Sequence, residues 1–174
     1  LRNHRAIPRP DSVVVSDTIW IAKGRPAVPY GLRGLLGARL ILRTGENDAH
    51  SGVTGGAARN PLAELMEVAN SCVEARTGRV KIPGFYDDVV PPTTTEIKDF
   101  LKSGFEVERF KKAYGFRSLR VQDPADVMRR IWASPTFEIH GLSGGYHGQG
   151  VKTVVPGHAE LKVSMRLVPD QVPE

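Results

Sequence analysis

The clearest pattern in the chain is an alternation of apolar and polar residues from Ala159 to Val168. Successive side chains of a β-strand point to opposite faces, so a period of two predicts a strand with one packed face and one polar face. Arg166 falls on the polar face. The apolar members are Ala159, Leu161, Val163, Met165 and Leu167, and the polar members are Glu160, Lys162, Ser164 and Arg166.

A second pattern has helical spacing and covers residues 61–76. Asn60 is suited to cap the first turn, Pro61 to occupy the first helical position, and Gly78 to follow the end of the helix. The apolar residues share one face, which favours a buried Cys72 over a reactive thiol. This face comprises Leu62, Leu65, Met66, Ala69, Cys72 and Val73.

Weaker patterns complete an order of strand, helix, helical insert and strands. We expect Thr94 or Thr95 to cap the first inserted helix, Asp123 to cap the last, and Asp170 to begin a further helix. Helices packed on one face of a mostly antiparallel sheet would give an α+β fold. The predicted strands cover 38–43, 136–140 and 151–155, and the predicted inserted helices lie near 96–102, 106–114 and 123–133.

The first thirty residues have a different character. Val13 to Val15 form a continuous apolar run, which is typical of a strand buried on both faces of a parallel sheet. Asp17 lies at the carboxyl end of this run, where ligands gather in such sheets, although a turn residue is an equal interpretation. Residues 24–37 carry four glycines and two prolines, which predicts a hinge into a second unit.

Composition narrows the function classes. The net charge is +5, but the basic residues are scattered, which favours a solvated surface over a nucleic-acid face. No apolar run approaches the roughly 20 residues of a membrane-spanning helix. The single cysteine excludes an intramolecular disulfide and a cysteine-rich zinc finger. The usage of cysteine fits a cytoplasmic protein.

Two groups of residues suggest chemistry, each with a plainer alternative. His50 follows Asp48 in a glycine-rich loop, where it could donate to an oxyanion, bind a metal or simply be a loop histidine. Thr153 and Arg166 could clamp a carboxylate, or belong to a solvated strand face. The segment GYHGQGVKT is not a phosphate loop, because Val151 separates the last glycine from the Lys-Thr pair.

Six motifs in one order resemble a known family, the di-zinc metallopeptidases that include carnosine dipeptidase, cytosolic non-specific dipeptidase and succinyl-diaminopimelate desuccinylase. The motifs are SDTIW (16–20), YGLRG (30–34), DAHSGVTGG (48–56), IPGFYDDV (82–89), GGYHGQGVKTVVP (144–156) and SMRLVPDQVPE (164–174). The resemblance implies a ferredoxin-like lid (dimerisation) domain over 31–174, with a helical insertion at about 79–133. Residues 1–30 would be a strand and hinge from an α/β catalytic domain, and the lid itself would be incomplete.

The resemblance also implies roles for four residues. Asp17 is similar to a zinc-ligating aspartate, and His50 to the lid histidine that reaches the partner's active site and steadies the oxyanion. Thr153 and Arg166 are similar to the groups that hold the substrate's terminal carboxylate. The expected cofactor is zinc, two ions in the complete enzyme, with manganese or cobalt as alternatives.

The function implied is hydrolysis of dipeptides or N-acyl amino acids by a cytoplasmic homodimer, with no nucleic-acid or membrane partner. The family's other zinc ligands and its general-base glutamate have no counterpart in this chain. We therefore expect the chain alone to bind no metal stably and to be inactive. A non-catalytic dimerisation or binding module derived from the same family is the alternative, and a basic nucleic-acid binder is the third hypothesis.

Overall fold

The computed structural model describes residues 11–13, 24, 27 and 29–173. The chain divides into two compact units, Leu1–Gly31 and Leu32–Glu174. The described residues of the first unit contain neither helix nor strand. Of the predicted strand at its start, only Val13 is described, and it is exposed. Asp17 lies outside the described residues.

The second unit is a mixed helix and sheet structure. A three-stranded antiparallel sheet has the order β1-β5-β3, and β2 and β4 form a separate two-stranded ribbon. The elements are β1 (Gly34–Arg43), β2 (Ala49–His50), α1 (Ser51–Thr54), α2 (Pro61–Cys72), α3 (Thr94–Lys102), α4 (Val107–Tyr114), α5 (Pro124–Trp132), β3 (Thr136–Gly144), β4 (Val154–Val155) and β5 (His158–Leu167).

The central strand β5 confirms the predicted alternation. Leu161 lies opposite Leu40 of β1 and Leu142 of β3, and opposed residues of antiparallel strands share a face. Its side chain is 2% exposed. On the other face Glu160 pairs with Lys162 of its own strand, with Nζ 3.0 Å from Oε1. One face of the sheet is therefore packed and the other carries solvated charges.

Helix α2 covers the apolar face of the sheet. As predicted, Asn60 caps the helix, its Oδ1 accepting from the backbone N–H of Leu62 at 3.0 Å, and Pro61 occupies the first turn. The half-buried Cys72 packs against the core. The buried cluster that joins helix and sheet comprises Leu65, Ala69, Val73, Val80, Phe137, Ala159, Leu161 and Val163.

The prediction that α2 extends to about residue 76 was wrong. The helix ends at Cys72, because Val73 is extended and pairs with Val80 in an isolated antiparallel bridge. The backbone N–H of Lys81 then donates to the carbonyl of Cys72 at 2.7 Å. Gly78 belongs to the turn of this bridge and not to the end of the helix. The backbone after Cys72 therefore pairs with a segment seven to nine residues further on, and helical periodicity does not reveal such a pairing.

The three inserted helices are confirmed, with a corrected cap. Thr93, and not Thr94 or Thr95, caps α3, where its side chain and Glu96 form a reciprocal capping box. Asp123 caps α5 as predicted. The ring of Trp132 meets those of Phe100 and Phe105 edge-on, with centroids 5.2 Å and 6.0 Å apart. The insertion thus has its own aromatic cluster.

Three further expectations about the strands and termini need correction. The strand predicted over 151–155 is reduced to β4, because its partner β2 offers only two residues for pairing. Strand β3 continues past residue 140 to Gly144. Within the described residues no helix begins at Asp170. A turn forms there instead, in which the backbone N–H of Val168 donates to Oε1 of Gln171 at 2.9 Å.

Candidate functional site

The β2–β4 ribbon brings together two of the four predicted site residues. His50 lies opposite Val154 in the ribbon register, and Ala49 lies opposite Val155. One residue further along, the backbone N–H of Ser51 donates to the carbonyl of Thr153 at 2.9 Å. His50 and Thr153 are therefore neighbours in space, although about a hundred positions separate them in the sequence.

The His50 side chain is exposed, yet its ring is tied to the backbone that follows it. Nδ1 accepts a hydrogen bond from the backbone N–H of Gly52 at 2.8 Å, so the imidazole caps the short helix α1. The hydroxyl of Thr54 donates to the carbonyl of His50 at 3.1 Å. Helix α1 was not predicted, because a four-residue helix within a glycine-rich loop has no apolar period to reveal it.

Asp48 anchors the ribbon to the segment that precedes β5. Its Oδ1 accepts from the backbone N–H of Gly157 at 3.1 Å. The carbonyl of Gly157 accepts in turn from the backbone N–H groups of Thr44 and Gly45, at 2.8 Å and 3.0 Å. A Cβ on Gly157 would lie 2.9 Å from the carbonyl oxygens of Gly45 and Asn47, so this close approach requires glycine.

Asp48 and Gly157 were not identified as a pair from the sequence. The signal available was a carboxylate two residues before His50 and a glycine two residues before the predicted strand at 159–168. Neither residue type indicates which residue it will contact. The segment after β1 and the segment before β5 come together only in the fold. Together they hold in place the loop that carries His50.

Arg166 lies away from the ribbon. It stands near the end of β5, opposite Leu35 of β1 and Thr136 of β3, and is exposed. His158 begins the same strand, next to the ribbon. The eight intervening steps of extended chain separate the two positions by about 26 Å. The structure therefore does not bring Thr153 and Arg166 of one chain together.

A second guanidinium adds positive charge beside Arg166. Nη1 of Arg33 donates to the carbonyls of Ser134 at 2.9 Å and Arg130 at 3.3 Å. Burial, followed by the positive charge of Arg166, lowers the pKa of Arg33, while Glu138 acts in the opposite direction. Arginine stays protonated in proteins. This end of the sheet therefore presents two cations, which suits an anionic group.

A shallow groove adjoins the ribbon. Its volume is about 280 Å³, and its lining includes Leu62, Tyr146, Lys152, Val154 and Pro156. Nζ of Lys152 lies 5.9 Å from the centroid of the Tyr146 ring, within reach of a cation–π contact. The groove offers one amine and an apolar wall next to Thr153.

The described residues do not form a metal centre. Among them, no three His, Cys, Asp or Glu side chains come close enough together to hold an ion. Asp17, the predicted zinc ligand, is outside this part of the chain. The donor set that a di-zinc site needs is thus not met by the residues described. No helix within the described ranges is long and apolar enough to cross a membrane.

Comparison with known proteins gives a consistent result. The family described as "Peptidase dimerisation domain" of the M20 peptidases matches residues 30–174. The Cys-Gly metallodipeptidase DUG1 of Candida albicans is 34% identical over 92% of this chain and 33% of its own length. The chain thus spans about a third of such relatives.

Solved structures give the same family. Human carnosine dipeptidase 1 superposes with a TM-score of 0.83 and 33% identity, covering 93% of this chain and 34% of that chain. An M20 family metallo-carboxypeptidase from Sulfolobus solfataricus has a TM-score of 0.81 and 39% identity, over 87% of this chain and 39% of that chain.

Proposed function

Because the chain belongs to the M20 peptidase dimerisation domain family, we propose that it is the lid of a metallo-dipeptidase or amidohydrolase. The substrates would be dipeptides or N-acyl amino acids. The observation that carries the proposal is that His50 and Thr153 lie side by side at one ribbon, in a domain whose relatives include a Cys-Gly metallodipeptidase. The relatives' activity supports hydrolysis by the complete protein.

In this proposal the active site is shared between two copies of the chain. An extended dipeptide is about 7 Å long, far less than the distance of about 26 Å that β5 places between the ribbon and Arg166. One chain cannot hold a dipeptide with both ends of that strand. We assign His50 and Thr153 to one subunit of a homodimer and Arg166 to the other, so that the three side chains converge only across the dimer.

Each residue then has a defined task. His50 donates a hydrogen bond to the oxyanion that forms when the amide carbonyl is attacked. Thr153 and Arg166 hold the terminal carboxylate, for which a planar guanidinium provides two parallel donors. Arg33 adds a second positive charge at that end of the sheet. None of these four side chains is assigned to a metal.

The proposal also covers the domain bounds, the fold type of the lid, the metal and the location in the cell. We assign residues 1–30 to the catalytic domain and hinge, and 31–174 to a ferredoxin-like lid. The strand order β1-β5-β3, with α2 between β1 and β3 in sequence, supports a βαββαβ core of which these are the first four elements. We retain zinc as the proposed metal, manganese or cobalt as alternatives, and the cytoplasm as the proposed location.

The test is substitution of His50 by alanine in the full-length protein. Loss of one oxyanion donor should lower kcat for a dipeptide by about 100-fold or more, with a smaller change in KM. His158→Ala is the matched control, because His158 is exposed and lies at the start of β5. An unchanged kcat in the His50→Ala protein would remove His50 from the mechanism.

A second candidate is a non-catalytic dimerisation module. It is favoured by one observation, that the family model matching residues 30–174 describes a dimerisation domain. Dipeptide turnover by the full-length protein with added zinc or manganese would reject this module. The 174-residue chain by itself should show no turnover under either proposal, and turnover by it would contradict both.

A further inference from the structure

We infer that the backbone N–H of Gly52 holds His50 in the tautomer whose proton is on Nε2, which makes Gly52 a positioning residue for the histidine. The assignment of a tautomer stands on geometry alone. Its consequence for catalysis rests on the proposed function, in which His50 is a hydrogen-bond donor.

One hydrogen bond to the His50 ring fixes the position of its proton. The N–H of Gly52 lies 2.8 Å from Nδ1 of His50. A backbone N–H group can only donate a hydrogen bond, so Nδ1 must accept it and carries no proton. In a neutral imidazole the proton is then on Nε2, which becomes the donor of the ring.

The far nitrogen is available for a ligand. Among the described residues Nε2 of His50 makes no hydrogen bond, and the side chain is exposed. The backbone on both sides of the ring is held, since Ser51 donates to Thr153 and the Thr54 hydroxyl donates to the carbonyl of His50. The ring is thus fixed at one nitrogen and presents a donor at the other.

The contact depends on the lack of a side chain at position 52. A Cβ there would lie 2.8 Å from Cε1 and 3.0 Å from Nδ1 of His50. Gly52 is in helix α1, a conformation that alanine adopts readily. Gly52→Ala therefore leaves the backbone donor in place and displaces the ring that accepts from it.

The direct test is nuclear magnetic resonance of the ¹⁵N-labelled protein. A scalar coupling across the hydrogen bond should join the amide nitrogen of Gly52 to Nδ1 of His50, and the ring shifts should report an Nε2–H tautomer. His147 is an internal reference, because its Nε2 accepts from Gly144 at 3.4 Å and should carry its proton on Nδ1. Protonated Nδ1 on neutral His50, or no coupling to Gly52, would overturn the inference.

The functional arm uses Gly52→Ala in the full-length enzyme, with Gly37→Ala as its control. A Cβ on Gly37 meets no atom within 4 Å. We expect Gly52→Ala to lose the coupling and to lower kcat by about tenfold or more, since a misplaced donor no longer meets the oxyanion. If the coupling is present but His50→Ala leaves kcat unchanged, the proposed function fails and the tautomer stands. If His50→Ala lowers kcat and the coupling is absent, the inference fails alone.

Discussion

Strands β1 and β5 pair along ten residues each, whereas β2 and β4 pair along two. The long pair supports a buried cluster in which Leu161 is 2% exposed. The short pair carries the exposed His50 and depends on the contact between Asp48 and Gly157. The sheet is held by burial of apolar surface, and the ribbon by a few hydrogen bonds.

The difference separates stability from function. Apolar burial is the dominant favourable contribution to folding, so the sheet and α2 contribute much more to the folding free energy than the ribbon does. Regions with few buried contacts open locally at lower free energy than the core. Substitutions in the ribbon are therefore expected to change its local structure without unfolding the sheet. Such independence suits a loop that is proposed to enter the active site of a partner subunit.

The largest effect should come from the sheet. Leu161→Ala removes the side chain at the centre of the core and should lower the free energy of unfolding by about 2–5 kcal/mol. Urea denaturation measures the loss. Lys162→Ala, one position along the same strand and exposed, should change it by about 0.5 kcal/mol or less. Equal losses in the two variants would contradict the assignment of stability to the apolar face.

A smaller effect is expected at the anchor of the ribbon. Asp48→Ala leaves the amide of Gly157 without its acceptor and should cost about 1–3 kcal/mol. Amide hydrogen exchange should accelerate at Ser51 and Gly157, while Leu161 retains its protection. Asp48→Asn keeps a side-chain oxygen as acceptor and should restore most of the protection. Faster exchange throughout β5 would show that ribbon and sheet open as one unit.

The smallest effect concerns the segment that joins the ribbon to α2. The hydrogen bond from Arg59 is the main cause that holds the pKa of Glu64 below its ordinary value. Desolvation acts to raise this pKa, and the positive charge of Arg59 acts to lower it further. A carboxyl group whose pKa is lower in the folded state than in the unfolded state stabilises the fold at pH above its unfolded-state pKa. This stabilisation is lost as the pH falls through the folded-state pKa. Tm should therefore decline slightly on acidification through that range, and less in Glu64→Gln. Identical pH profiles would assign no role to this pair.

The sequence predicts the sheet better than the ribbon, for a physical reason. The alternation from Ala159 to Leu167 and the cap at Asn60 are local signals, and each specifies an element directly. The two residues of β2 and the two of β4 are too few to show any period. Their pairing is decided by contacts between segments about a hundred positions apart, which a pattern along the chain does not encode.

The candidate site shows the same limit. Spacing alone left His50 as either a functional or an ordinary loop histidine, and resemblance to a family selected it. The neighbourhood of Thr153, the anchor at Gly157 and the amide of Gly52 became visible only in the fold. Asp17 and the predicted metal site remain predictions.

The distance along β5 has a genetic consequence. Suppose that His50 and Arg166 of one chain serve different active sites. A homodimer of the His50→Ala variant then lacks His50 in both sites, and a homodimer of the Arg166→Ala variant lacks Arg166 in both sites. A mixed dimer of the two variants would place both substitutions in one site and leave the other site with intact His50 and Arg166. Two alleles that are each inactive alone should therefore complement one another when expressed in the same cell.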